Sequence, residues 1–390
     1  MALYSLYFHI PFCRQRCYYC DFNTYAGMEL WMPEYTAALC SEIEQVAGKT
    51  PNRLTAHTLF FGGGTPSLLD IEQLAAILTT LHKYFTLTDD LEASLEANPG
   101  TVSLDYLKRL RGLGMNRLSL GMQSANPEEL RLMGRIHDTP EVIQAVKWAR
   151  QAGFENINLD LIFGLPFQTL ERWQVSVELA LAMKPEHLSL YALTVEEGTP
   201  FHRWTERGLM PMPDDDLAAD CYEWASDCLE KAGYAQYEIS NWGRMVGEKV
   251  MTCRHNLQYW RSLPYLGFGA GAHGFAAGVR TANVGLIPDY IKRCKAGSLA
   301  PFPVGPAAVE SRAIDETTEM QEIMMVGLRL VDEGVSFSQF EERFHTPLDV
   351  VFGKEIQKLT GQGLLEVTGG KVRLTKSGRL LGNRAFMEFV

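Results

Sequence analysis

The sequence has no excess of positive charge. Its 36 lysines and arginines face 47 aspartates and glutamates, which gives a formal net charge of -11 at pH 7. Non-specific binding to nucleic acid needs a basic surface that neutralises phosphates. The composition therefore excludes this function class for the chain as a whole and leaves room only for a local basic groove.

Long apolar runs are also missing. No uncharged apolar stretch reaches about 18 residues, the length that a helix needs to cross a bilayer. The segment 1–7 (MALYSLY) has neither the basic region nor the cleavage site of a secretory leader. We therefore expect a cytoplasmic protein in a reducing compartment, without a membrane span.

Cysteine is scarce, since eight residues in 390 are too few for a disulfide-rich scaffold. We interpret the scattered ones as small buried hydrophobic residues, each on its own. They are Cys40, Cys221, Cys228, Cys253 and Cys294. The other three, Cys13, Cys17 and Cys20, form a C-x3-C-x2-C pattern directly after an apolar run.

Three cysteines at this spacing converge on one metal centre when the backbone loops. Structural zinc is usually closed by four ligands. A 4Fe-4S cluster held by three thiolates keeps one iron open for an outside ligand, whereas an electron-carrying cluster normally has four cysteines. The count favours the cluster. A zinc site with His9 as a fourth ligand is the alternative.

The first half of the chain alternates short apolar runs with helical patterns. The runs are 3–10, 57–61, 92–97, 117–122, 156–163 and 187–193. Between them, Ser103 and Thr139 are predicted helix caps, Pro140 a first helical residue, and Gly153 a helix end. Such alternation is typical of parallel βαβ units. It predicts an open (β/α)6 partial barrel or a doubly wound sheet, with functional groups at the carboxyl ends of the strands.

The pattern changes after residue 200. We predict a linker over 208–216, a glycine-rich segment over 267–275, helices over 316–346 and 350–365, and a hairpin over 365–374 that turns at Gly369-Gly370. Helices followed by a hairpin predict a small α+β, winged-helix-like C-terminal domain. The predicted domains are 1–210, 211–312 and 313–390.

Polar residues stand at or near the ends of the predicted strands. Gly62-Gly63-Gly64-Thr65-Pro66 follows the second strand, where glycines allow a close approach of backbone to a ligand and free N–H groups can bind a carboxylate. Glu96, Gln123, Arg135 and Asp160 follow on later units. Charges in apolar strands are costly unless paired or liganded. Glu96 and Asp160 either bind a ligand or pair with Arg135 or Arg117.

These motifs resemble the radical S-adenosyl-L-methionine (SAM) superfamily, and more closely its coproporphyrinogen-oxidase-like branch. HIPFC, GGGTPS, LEANP, GMQS, GRIHD and DLIFGLP match that branch in order over roughly residues 3–200. The resemblance implies a radical SAM partial barrel, a 4Fe-4S cluster on Cys13, Cys17 and Cys20, and SAM on the open iron. The SAM contacts that it implies are Tyr7, Tyr19, Gly63, Gly64, Thr65, Glu96, Gln123, Arg135, Asp160 and Ala192.

Within this branch, two features resemble the HemW family of heme chaperones rather than the oxidase. Phe22 stands where the oxidase pattern has a further cysteine, and residues 255–260 read HNLQYW, the H-N-x-x-Y-W motif of that family. Independently, a neutral imidazole such as His255 is a standard axial iron ligand, and Tyr259 and Trp260 offer flat apolar surface. Cys253 is a candidate second ligand and His273 a weaker candidate ligand.

The resemblance implies that the chain binds heme through His255 and delivers it to a respiratory heme protein, with transient membrane contact. The alternative is an oxidase-like enzyme that abstracts hydrogen from a porphyrin side chain with a SAM-derived radical. A zinc-bound interaction protein is a third, weaker alternative. None of these three hypotheses includes binding to nucleic acid.

Overall fold

Strands and helices alternate through the first half of the chain, as the sequence predicts. The computed structural model describes residues 3–390. Its strands are β1 (Leu3–Ile10), β2 (Phe12–Cys13), β3 (Tyr25–Ala26), β4 (Leu54–Gly63), β5 (Phe85–Ala97), β6 (Arg117–Gln123), β7 (Asn156–Phe163), β8 (His187–Ala192), β9 (Tyr234–Glu238), β10 (Asn241–Val246), β11 (Lys249–Val250), β12 (Tyr265–Phe268), β13 (His273–Ala276), β14 (Val279–Asn283), β15 (Ala308–Ala313), β16 (Val335–Ser336), β17 (Leu365–Thr368) and β18 (Lys371–Leu374).

The helices lie between these strands or after the last of them. They are α1 (Met32–Ala47), α2 (Ile71–Tyr84), α3 (Leu104–Gly112), α4 (Pro127–Leu132), α5 (Thr139–Gln151), α6 (Leu170–Ala182), α7 (Pro200–Glu206), α8 (Asp215–Lys231), α9 (Arg254–Trp260), α10 (Ile287–Ala296), α11 (Glu316–Gly327), α12 (Phe337–Phe344), α13 (Leu348–Gly361), α14 (Lys376–Leu380) and α15 (Gly382–Phe386). Short 3₁₀ turns cover Glu29–Trp31, Pro66–Leu68, Pro99–Thr101 and Met387–Phe389.

The described residues form two units. The first consists of the chain up to Cys228 together with Pro264–Arg312, and the second of Leu229–Leu263 and Ala313–Val390. The domain boundaries expected from the sequence stay a prediction. No helix within residues 3–390 is both long and apolar enough to cross a membrane.

The first unit is built on an open sheet. Its strands lie in the order β8-β7-β6-β5-β4-β1, all parallel, and β12 continues the sheet parallel to β1. Strands β13 and β14 follow in antiparallel pairing. Because β1 and β8 stand at opposite ends of the six parallel strands, the barrel does not close. This confirms the predicted open (β/α)6 arrangement.

The burial of this sheet explains why the sequences of its strands are rich in apolar residues. Every residue of β6 is buried, as expected for a parallel strand covered on both faces. Phe8 stacks between Phe61 and Phe268 at ring-centroid distances of 4.6 and 5.6 Å. Such offset aromatic contacts add to the apolar area removed from water. They hold β1, which leads into the cysteines, between its two neighbours.

Two local predictions need correction. Thr139 is not the cap of α5: the Asp138 carboxylate accepts the Glu141 N–H, and the Glu141 carboxylate accepts the Asp138 N–H, which forms a capping box. Strands β4 and β5 begin several residues earlier than predicted, because 54–56 pair with 85–87. The predicted Ser103 cap of α3 is confirmed by a bond of 3.2 Å from the Tyr106 N–H.

The second unit contains the predicted small α+β domain. Strands β16, β18 and β17 form a three-stranded sheet, and the β17–β18 hairpin turns at Gly369-Gly370, both at positive φ. The helix predicted over 316–346 is wrong as one element. It divides into α11, β16 and α12 because Gly334, at φ +55°, brings the chain against β18, where an added Cβ would lie 2.2 Å from the Val372 carbonyl oxygen.

Candidate functional site

A cavity of about 470 Å³ opens at the carboxyl ends of the parallel strands in the first unit. It brings together nearly all of the site residues predicted for this unit. They are Cys13, Cys17, Tyr19, Cys20, Gly63, Gly64, Thr65, Glu96, Gln123, Arg135, Asp160 and Ala192. Tyr7 is not on the lining, and its Oη lies 3.0 Å from His9 Nδ1. His255 is in the second unit and is described separately.

Cys13 ends β2, Cys17 and Cys20 lie in the loop between β2 and β3, and each sulfur has a polar neighbour. Thr65 Oγ1 lies 3.7 Å from Cys13 Sγ, Arg135 Nη1 3.4 Å from Cys17 Sγ, and Thr24 Oγ1 3.9 Å from Cys20 Sγ. Burial raises the pKa of Cys13 to about 11 and also raises the pKa of Cys20. A bound metal would overcome this cost, because a coordinating thiol is deprotonated.

Within residues 3–390, no three His, Cys, Asp or Glu side chains are placed to hold a single metal ion. A 4Fe-4S cluster does not require that placement, since each thiolate binds a different iron at the cluster's corners. His9 is also excluded as a ligand in this conformation. Its Nδ1 accepts from Tyr7 Oη at 3.0 Å and its Nε2 donates to the Asn23 carbonyl at 2.9 Å.

The glycines after β4 bring the second strand against the cysteine segment. The Gly64 N–H donates to the Ile10 carbonyl and the Thr65 N–H to the Phe12 carbonyl, both at 2.8 Å. A Cβ on Gly64 would lie 2.6 Å from the Phe12 carbonyl oxygen. The Gly63 N–H donates to Glu96 Oε2 at 3.2 Å. The two glycine N–H groups are therefore bonded within the protein, and their binding of a ligand carboxylate stays a prediction.

Two carboxylates face the cavity from β5 and β7. Burial first, and the nearby Asp160 charge second, raise the pKa of Glu96 to about 8. Burial also raises the pKa of Asp160, although its oxygens accept from Ser119 Oγ at 3.0 Å and Asn158 Nδ2 at 2.8 Å. The Arg117 charge acts in the opposite direction and lowers the pKa of both carboxylates, without outweighing their burial. The alternative in which they pair within the core stays a prediction. Carboxylates kept inside a cavity at such a cost are typical of functional sites.

Arg135 is the cation of the cavity. Its Nη2 donates to the Gly121 carbonyl at 3.0 Å, while its buried Nε has no hydrogen-bond partner. A Cβ on Gly121 would come within 3.0 Å of Arg135 Nη2, so this position leaves room for the guanidinium. A planar guanidinium with a free N–H is suited to hold a ligand carboxylate.

Aromatic and apolar residues complete the lining. Tyr19 packs against Phe201 with ring centroids 6.3 Å apart, and Ala192 ends β8 opposite Phe163. Further lining residues were not predicted from the sequence, among them Thr24, Asn98, Tyr191 and Glu196. Their only signal was adjacency to residues in the predicted site or strands, such as Cys20, Ala97 and Ala192.

The donor set fits the implied cofactors. Three sulfur atoms are available for a cluster, a guanidinium for a carboxylate, two carboxylates for hydroxyl groups, and an aromatic ring for a flat base. The buried Arg135 Nε is a polar group that the protein itself does not satisfy. Unsatisfied groups of this kind, inside a cavity, point to a ligand.

The H-N-x-x-Y-W motif forms helix α9 in the second unit. His255 is 1% exposed, and its Nε2 lies 2.8 Å from Tyr259 Oη one helical turn later. The Arg329 guanidinium stacks over the Trp260 ring at 4.4 Å. Cys253 is fully buried and precedes the helix. Iron ligation through Nε2 would thus require the Tyr259 hydroxyl to move away.

Comparisons with known proteins identify the family of the chain. The Radical SAM superfamily model matches residues 7–180 and the HemN C-terminal domain model matches 314–381. The "Heme chaperone HemW" of Bacillus subtilis is 38% identical over 387 residues, covering 99% of each chain, and that of Escherichia coli is 34% identical, covering 99% of this chain and 98% of its own.

Among solved structures, the radical SAM enzyme coproporphyrinogen III oxidase (HemN) from Escherichia coli superposes with a TM-score of 0.84 and 25% identity, over 100% of this chain and 90% of its own. The fold therefore extends over the whole chain, and the sequence identity to the chaperones does as well. On these grounds the chain belongs to the HemW family within the radical SAM superfamily.

Proposed function

We propose that this protein is a heme chaperone that binds a 4Fe-4S cluster, SAM and heme, and transfers the heme to an acceptor protein. The observation that carries the proposal is the single cavity that joins three cysteines to Glu96 and Asp160. The relatives named as heme chaperones, similar over nearly their full length, support the heme function.

In this proposal Cys13, Cys17 and Cys20 hold the cluster and leave one iron open. Arg135 holds the SAM carboxylate, Glu96 and Asp160 accept from the ribose hydroxyls, and Tyr19 packs near the adenine. Tyr7 supports the pocket through its bond to His9. A reduced cluster with SAM supplies one-electron chemistry when both are bound.

Heme is proposed to bind through His255, an imidazole that is a standard axial iron ligand. In the second unit the Tyr259 hydroxyl occupies its Nε2. Release of that hydroxyl is then part of heme uptake. We place the protein in the cytoplasm and propose a respiratory heme protein as the acceptor, reached by transient membrane contact.

His255→Ala is expected to remove the axial ligand, shift the Soret band of the heme-loaded protein, and weaken heme binding by about tenfold or more. Tyr259→Phe is expected to bind heme at least as tightly as the wild type, because it frees Nε2. Optical titration with heme measures both. His82→Ala, at an exposed residue of α2, is the control. An unchanged Soret band in His255→Ala would refute the ligand assignment.

A second candidate function, an oxidase-like radical SAM enzyme, is favoured by the structural likeness to coproporphyrinogen III oxidase. Phe22, 62% exposed on the cavity rim, stands where that enzyme's pattern has a further cysteine. We expect anaerobic incubation with coproporphyrinogen III, SAM and a reductant to give no protoporphyrinogen above the Cys17→Ala background. Formation of that product would overturn the chaperone proposal.

A further inference from the structure

The loop that carries the cysteines has little regular structure of its own. Between Cys13 and Tyr25 it forms neither helix nor strand, and Arg14, Gln15 and Arg16 are exposed. Its geometry must therefore be set by contacts with other segments. The most extensively bonded residue of the loop is Asn23, which lies three residues after Cys20.

Asn23 uses both its side chain and its carbonyl. Its Nδ2 donates to the Ala270 carbonyl at 3.0 Å and to the Gly285 carbonyl at 2.9 Å. Its Oδ1 accepts from Tyr25 Oη at 2.9 Å, and its main-chain carbonyl accepts from His9 Nε2 at 2.9 Å. One asparagine thus joins the cysteine loop to β1 and to the glycine-rich segment after β12.

These bonds form a closed circuit. The His9 carbonyl accepts from Tyr35 Oη at 2.7 Å, and Tyr35 Oη accepts from the Ala270 N–H at 2.9 Å. The Ala270 carbonyl then accepts from Asn23, and the Asn23 carbonyl accepts from His9. Each member fixes the next, which is the arrangement in which buried polar networks specify one geometry.

Glycines make this approach of the chain possible. A Cβ on Gly271, at φ +76°, would lie 2.6 Å from Asn23 Nδ2, and a Cβ on Gly269 would lie 2.4 Å from the His9 carbonyl oxygen. The Asn23 side chain therefore packs directly against the backbone of the glycine-rich segment. Any side chain at Gly271 would displace the asparagine from this position.

Asn23 also lies between the two residues that contact the third cysteine. The Phe22 backbone hydrogen-bonds to the Cys20 thiol, and Thr24 Oγ1 lies 3.9 Å from its Sγ. A shift of Asn23 would move both contacts. Hydrogen bonds to cluster sulfurs are among the factors that set the reduction potential of an iron–sulfur cluster.

We infer that Asn23 is a positioning residue for the third cluster ligand, Cys20, and that the glycine-rich segment 267–275 holds Asn23 in place. The inference rests on the proposed function, in which the cysteines hold a 4Fe-4S cluster. It assigns a role to a glycine-rich segment that the proposed function leaves unexplained.

The sharpest test compares Gly271→Ala with Gly278→Ala in the reconstituted full chain. Both glycines have positive φ, +76° and +71°, but a Cβ at Gly278 meets nothing within 4 Å. Both variants therefore carry similar backbone strain, and only Gly271→Ala displaces Asn23. We expect Gly271→Ala to lose iron to a chelator about tenfold faster than wild type. Its reduced-cluster paramagnetic-resonance spectrum and midpoint potential should also change, with Gly278→Ala unchanged.

A second pair removes the asparagine donors directly. Asn23→Asp places an acceptor against the Ala270 and Gly285 carbonyls. Asn116→Asp is the control, because it places an acceptor against one carbonyl, that of Leu91, outside the cysteine loop. If the wild type takes up no cluster, the proposed function fails. If the wild type takes up its cluster and both Gly271→Ala and Asn23→Asp match their controls, the inference on Asn23 fails. Should Asn23→Asp not fold, Gly271→Ala decides.

Discussion

Cys17→Ala is expected to abolish cluster binding, with iron falling from about four atoms per chain to less than about one after anaerobic reconstitution. Three thiolates are the minimum that leaves a single open iron, so loss of one leaves two corners without a protein ligand. The Cys17 sulfur also lies 3.4 Å from Arg135 Nη1, so the same change removes a contact of the cavity's cation. SAM-induced changes in the paramagnetic-resonance spectrum should disappear with the cluster.

The control is Cys40→Ala, at a half-buried cysteine of α1 outside the cavity. Iron, acid-labile sulfide and zinc are measured on all three proteins. Iron retention in Cys17→Ala at the wild-type level would contradict the ligand assignment. One zinc and no iron in the wild type would support the zinc alternative instead.

The sequence predicted the strands best where their apolar runs are continuous. Strands β1 and β7 were predicted at the bounds that the structure has, because each contains many buried apolar residues, as strands of a covered parallel sheet do. The starts of β4 and β5 were missed. Residues 86–90 of β5 read TLTDD, which lacks a continuous apolar run, and the start of β5 is set by the pairing of 85–87 with 54–56 of β4.

The site residues that lie at or near the ends of strands could be predicted from the sequence. Glu96, Gln123 and Asp160 stand at the carboxyl ends of successive strands, and a parallel sheet places those ends together. The role of Asn23 was not predictable, since its partner Ala270 is 247 residues away. Buried Glu42 of α1 was missed for the same reason. Its carboxylate accepts from Gly269, Asn283 and Tyr290, which no helix pattern indicates.

Glu96→Gln should stabilise the ligand-free protein at alkaline pH and weaken SAM binding, because it removes a carboxyl group that is costly to ionise inside the cavity. Burial and Asp160 raise the Glu96 pKa from 4.5 to about 8. Below pH 4.5 the folded and unfolded chains both hold the proton. Between pH 4.5 and about pH 8 only the folded chain keeps the proton. The free energy of unfolding therefore falls by about 1.4 kcal/mol per pH unit in this range. Above pH 8 the loss is complete, at a few kcal/mol.

Urea unfolding at pH 5, 7 and 9 measures this difference. Wild type should lose free energy of unfolding across the series, whereas Glu96→Gln should lose less, with a residual slope from Asp160, whose pKa is also raised. The amide oxygen of glutamine can still accept the Gly63 N–H, which keeps the local structure. Glu171→Gln, at an exposed residue of α6, should leave the slope unchanged.

SAM binding should respond in the opposite direction. A ribose hydroxyl donates more strongly to a carboxylate than to an amide, so Glu96→Gln should weaken SAM binding by about tenfold. Greater stability at pH 9 together with weaker SAM binding would show that the carboxylate is kept for its ligand at the expense of the fold. A variant that is less stable at every pH would instead assign Glu96 a structural role through Gly63 and remove it from the SAM site.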